Sequence, residues 1–212
     1  QDGWISSSPV VNDEVVIFAS PDGFVHIIDK RTARAKLRYN TGPLANSPVL
    51  DDDRVYVADN RGTIWAIDWT KSKLPFEDAA GRVRTQLFAW GFVNSLPYPK
   101  GSVWGYRHSM DRFINTPALD GQRLYASSVK GSVLAIDKEN GRILWEFLRK
   151  TEMTTAPSIV GSNVLVGSMD GALYGLDSKT GKLGWEYSLD GPLSSTPVVV
   201  GGTVFITTRG GT

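Results

Sequence analysis

The sequence predicts an all-β fold, a β-propeller built of four-stranded antiparallel blades, and three independent residue sets predict it. Pro9, Pro48, Pro117, Pro157 and Pro197 recur at intervals of 39, 69, 40 and 40 residues. Gly23, Gly62, Gly131, Gly171 and Gly211 repeat all four intervals, and Asp29, Asp68, Asp137 and Asp177 repeat the first three. A period of ~40 residues made of short strands is the signature of a propeller blade. The 212 residues therefore form one propeller segment, with blades at about 5–44, 45–113, 114–153 and 154–193 and a partial blade over 194–212.

The unit opening at Pro157 shows the plan. Ala156-Pro157-Ser158-Ile159-Val160 is a first strand; proline suits its start, where a missing N–H lies outside the ladder. After the turn Gly161-Ser162-Asn163, the second strand is Val164-Leu165-Val166-Gly167-Ser168. Asp170-Gly171 favours the positive φ of a two-residue hairpin, and Ala172–Asp177 is the third strand. In Asp177-Ser178-Lys179-Thr180-Gly181 the carboxylate caps backbone N–H groups and glycine takes the left-handed position. Lys182–Tyr187 is the fourth strand.

The earlier units drift from this plan in identifiable places. Asp22-Gly23, Arg61-Gly62 and Lys130-Gly131 match the first hairpin, and Trp145 matches Trp185 at 40 residues. Each such tryptophan is expected to wedge against the next blade. In the first blade the turn glycine is Ala33 and the tryptophan is Leu37, which predicts a looser turn or one of another type. His26 is expected at a blade surface, and Asp51-Asp52-Asp53 as a solvated acidic turn.

The 69-residue interval holds a surplus of 29. Gly81-Arg82-Val83 resembles Gly141-Arg142-Ile143, which divides the surplus into nine residues before the fourth strand and twenty after it. The larger piece is then expected on the disc face that carries the Asp-Gly-type turns. It holds Phe88, Trp90, Phe92, Tyr98, Trp104, Tyr106 and Phe113 among Lys100, Arg107 and Arg112. Aromatic and arginine side chains on an extended loop are what protein interfaces draw on. Trp90, Tyr98, Trp104, Tyr106 and Arg107 are accordingly the candidate partner-binding residues; the competing reading folds the loop back onto its own blade.

Composition narrows the function classes. The 23 basic and 22 acidic residues leave a net charge of +1 without a basic stripe, which argues against a nucleic-acid partner. There is no cysteine, hence no disulfide or thiol nucleophile, and no apolar run long enough to span a bilayer. Two histidines and no readable nucleophile–base pair give no catalytic or metal-ligating residues.

The wording Leu173-Tyr174-Gly175-Leu176-Asp177…Gly181…Trp185, with Val133-Leu134-Ala135-Ile136-Asp137…Gly141…Trp145, resembles the pyrroloquinoline-quinone-type propeller repeat. That repeat is shared by quinone-dependent dehydrogenases, by the non-catalytic propeller lipoprotein of the outer-membrane β-barrel assembly machinery, and by sensor propellers. The tight blades are closest in style to the lipoprotein type. The resemblance implies a periplasmic or extracellular scaffold for protein partners, with no cofactor. Quinone and Ca2+ would enter only under the alternative of a dehydrogenase fragment, whose adjacent cysteine pair is missing here. A ligand-sensing ectodomain is the third reading. The expected whole is a ring of seven or eight blades, with the remainder supplied by a longer parent chain or another subunit.

Overall fold

The structure, a computed structural model, describes residues 7–44, 46–71, 83, 85–92, 101–108 and 111–210. The first sheet contains β1 (Val10–Val11), β2 (Val15–Ser20), β3 (Phe24–Asp29) and β4 (Ala35–Asn40) in sequence order. The second contains β5 (Val49–Asp51), β6 (Arg54–Ala58), β7 (Thr63–Asp68) and β8 (Ser102–Arg107). The third is β9 (Ala118–Asp120), β10 (Arg123–Ser127), β11 (Ser132–Asp137) and β12 (Ile143–Leu148). The fourth is β13 (Ser158–Val160), β14 (Asn163–Gly167), β15 (Ala172–Asp177) and β16 (Leu183–Ser188), and β17 (Val198–Val200) pairs with β18 (Thr203–Phe205). All pairings are antiparallel, and the fold is the expected all-β set of propeller blades.

Hydrophobic clusters sit between neighbouring blades because strand side chains alternate between two faces. In β6, Val55 and Val57 pack with Ile17, Ile27 and Leu37 of the first blade. The intervening Tyr56 and Ala58 pack with Leu124, Leu134 and Ile136 of the third. The second, third and fourth blades are thus each half of two cores. A polar clasp secures the short inner strands at a constant spacing of twelve residues. Ser7 Oγ holds both backbone groups of Ala19, Asn46 Nδ2 donates to Ala58 O, and Thr155 Oγ1 accepts from Gly167 N.

Strand pairing corrects the expected division of the long interval. Ala66 faces Trp104 after 38 residues, whereas Ala135 faces Trp145 after 10, so 28 surplus residues lie between the third and fourth strands. The fourth strand is β8, and the Gly81-Arg82-Val83 match was accidental. In an up-and-down blade that connection emerges on the face opposite the Asp-Gly-type turns, not on theirs.

The first-blade turn is also not of another type. Ala33 adopts φ 55° and its N–H bonds Asp29 O at 2.9 Å, as Gly141 N bonds Asp137 O at 2.9 Å and Gly181 N bonds Asp177 O at 2.8 Å. The turn survives with a side chain in the left-handed region.

Candidate protein-interaction surfaces

The five residues read as a partner site do not converge. Trp104, Tyr106 and Arg107 belong to β8 rather than to an inserted loop. Trp104 is 9% exposed, and its Nε1–H donates to Lys138 O of the next blade at 2.8 Å. It is the second-blade counterpart of Trp145, whose Nε1–H donates to Ser178 O at 3.0 Å. Tyr56 OH and Tyr125 OH join them on the same two carbonyls. The wedge expected of Trp145 is therefore observed, and Trp104 shares it. Two ion pairs cross the same seam, Arg54 to Glu139 and Asp51 to Lys138, both at 2.6 Å, so Asp51 is not a purely solvated turn residue.

Tyr106 is half-buried, its ring 6.3 Å from His108, and burial together with the nearby Glu146 carboxylate pushes its phenol up. Arg107 is exposed where β8 ends. Phe113, grouped with the loop aromatics by sequence, is fully buried in the core between blades two and three. Tyr98 and Lys100 lie outside the described residues.

Trp90 remains a surface residue. Residues 85–89 of the insertion are helical, and Trp90 N and Phe92 N bond back to Gln86 O and Leu87 O. Trp90 is 64% and Phe92 75% exposed, with their rings edge to face at 6.5 Å. Phe88 is partly exposed beside them. Two large aromatics facing water at once are costly in apolar hydration and need an explanation.

Where the inner strands begin, a cavity of about 240 Å³ is lined by Asn46, Ser47, Asn115, Thr116, Thr154 and Thr155, with Ile114 and Ala156. Asn46 is 4% exposed, and its Nδ2 donates to Ala58 O and Phe113 O. Its Oδ1 is left buried without a partner. Sequence reading missed this wall, although each of its clasp residues stands two positions before an anchor proline. The lining supplies neutral hydroxyls and amides. No group of three His, Cys, Asp or Glu side chains placed to hold a metal ion occurs among the described residues.

Blades with a buried Asp-turn carbonyl under an outer-strand tryptophan define a propeller of the pyrroloquinoline-quinone-type repeat. More narrowly, the family model described as outer membrane protein assembly factor BamB matches residues 2–89 and 100–212, and the chain belongs to that family. Among solved structures, BamB from Moraxella catarrhalis superimposes with a TM-score of 0.71 at 19% identity, covering 97% of this chain and 55% of its own. The computationally designed Ika8 protein gives 0.73 at 14% identity, covering 96% and 55%. Quinohemoprotein alcohol dehydrogenase from Comamonas testosteroni gives 0.67 at 14%, covering 96% and 39%. The chain thus spans about half the length, or less, of these structures. No curated protein sequence matches it.

Proposed function

We propose that this chain is part of a non-catalytic propeller scaffold that binds protein partners outside the cytoplasm, in the periplasm or at the cell surface. The observation that carries the reading is the exposed Trp90–Phe92 pair, set on a helical insertion that interrupts one otherwise regular blade. Aromatic anchors of this kind supply most of the binding energy in small interfaces. Membership of the family described as outer membrane protein assembly factor BamB supports the same reading.

Changing Trp90 and Phe92 together to alanine should leave the melting temperature unchanged and abolish capture of the cognate partner. Undiminished capture would remove the insertion from the account. A dehydrogenase fragment is the second reading, favoured by the similarity to the quinohemoprotein enzyme. Dye-linked alcohol oxidation after loading with quinone and Ca2+ would establish it in place of the scaffold.

A further inference from the structure

On the face of the Asp-Gly-type turns, charge is sorted by blade. The residue before the turn glycine is Asp22 in the first blade and Asp170 in the fourth, but Arg61 in the second and Lys130 in the third. The connections that follow the fourth strands repeat the pattern. Arg107 and Arg112 flank the one leaving the second blade and Arg149 and Lys150 the one leaving the third, whereas Asp190 stands in the one leaving the fourth.

Backbone hydrogen bonds make these cations neighbours. His108 N, next to Arg107, bonds Gly62 O, next to Arg61, at 2.8 Å. Val129 N, next to Lys130, bonds Arg112 O at 3.0 Å, and Arg149 N bonds Gly131 O at 3.0 Å. The result is a continuous row across two blades. All but Arg149 are exposed, and Arg149 is held over the rings of Phe147 and Tyr174 at 4.3 and 5.4 Å.

Of the carboxylates within the row, two are buried and the exposed Glu146 is engaged by Ser132 and His108. Asp59 is buried and accepts from Arg61 N, Thr63 N and Trp65 Nε1. Asp111 is buried; its Oδ1 accepts from Arg112 N and Lys130 N, and its Oδ2 lies 3.5 Å from His108 Nδ1. Glu146 accepts from Ser132 Oγ and lies 3.4 Å from His108 Nε2. Glu152 is half-buried. Among the described residues, none of the six cations has a carboxylate within ion-pair distance.

We propose that this row is a docking strip for an acidic, extended segment of a protein partner. A strip one or two blades wide, bordered by Asp22 on one side and Asp170 and Asp190 on the other, matches a peptide. An anionic membrane laid flat across the same face would press against those bordering carboxylates. The strip deepens the scaffold reading by giving the chemistry of one partner, and it is separate from the Trp90–Phe92 surface.

The test is fluorescence anisotropy of a labelled peptide of alternating Glu and Gly with the full chain. Binding should weaken at least ~10-fold in R107E/R112E/K130E and vanish at ~1 M salt, where the screening length is ~3 Å. R31E/R34E, on the opposite face, should bind as the parent does. R107Q/R112Q/K130Q, with a melt equal to the parent's, guards against misfolding and should also lose affinity. Equal binding by the reversed variant would overturn the proposal. So would equal binding of a Lys-Gly peptide, or cosedimentation with phosphatidylglycerol vesicles without peptide binding. None of these outcomes depends on Trp90, so the scaffold reading fails or stands on its own test.

Discussion

Gly141 sits beneath the indole of Trp104: a methyl group added to its α-carbon would lie 2.7 Å from the ring, and the same ring donates its N–H to Lys138 O at 2.8 Å. Gly181 stands in the same relation to Trp145. The turn of one blade is therefore shaped to receive the tryptophan of the blade before it. Positive φ and ring contact both require glycine there, at +75° and +70°.

Trp104→Ala should cost about 3–5 kcal/mol in a denaturant melt, the usual penalty for a large buried aromatic, and Trp104→Phe about 1–2 kcal/mol for the lost hydrogen bond and contact. Trp185, 39% exposed, should cost less than about 1 kcal/mol when changed to Ala in this chain. Equal losses at both positions would show that the seam does not contribute as described.

Gly181→Ala should be more damaging than Gly161→Ala. Both have positive φ, but the space at Gly161 is open while that at Gly181 is filled by the Trp145 ring. Urea unfolding should give about 1 kcal/mol for the open site and at least about 2 kcal/mol for the filled one.

Ala33→Gly should stabilise the chain. Relief of a left-handed alanine is worth about 1–2 kcal/mol, offset in part by the extra freedom glycine has in the unfolded state. A net gain of about 0.5–1 kcal/mol is expected in thermal melts; a loss would show that the alanine methyl makes a favourable contact in the turn.

The Asp29 and Asp177 carboxyls are held below the ordinary carboxylate range by hydrogen bonds from the Thr32 and Thr180 hydroxyls, each 2.7 Å, and from the same residues' backbone N–H groups. A lowered folded-state value means the stabilisation is complete above the ordinary carboxylate pKa of ~3.9 and is lost as pH falls through the folded value. Thr32→Val with Thr180→Val should therefore open a stability gap to the parent that is constant near neutrality and closes in acid. Urea midpoints across a pH series will show it; a gap that persists at ~pH 2 would assign the threonines another role.

The blade plan was legible in the sequence because proline, glycine and aspartate each answer to a separate backbone requirement, and three requirements rarely agree by accident. The irregular blade was misread because Gly81-Arg82-Val83 imitates a short local string. Strand register places β8 instead: Asp68 N bonds Gly101 O as Asp137 N bonds Arg142 O, and Ala66 faces Trp104 as Ala135 faces Trp145, so Gly101 stands where Arg142 does. The sequence hides this because Lys100 occupies the position that glycine holds at 141 and 181, and only the pairing of β8 with β7 removes Trp104 from the candidate surface. The cationic strip was missed for another reason. Its members are scattered over ninety positions, between Arg61 and Lys150, and only the stacking of blades makes them adjacent.

The tryptophan-to-carbonyl seam also has a sense of direction. The third blade presents the Trp145 indole donor on one side and the Lys138 carbonyl with its Gly141 hollow on the other, like a plug and socket cast in one piece. Two identical sides cannot mate, so twofold pairing through this seam is ruled out. Growth of the array, whether by further repeats or by a second molecule, proceeds with every wedge turning the same way round the axis.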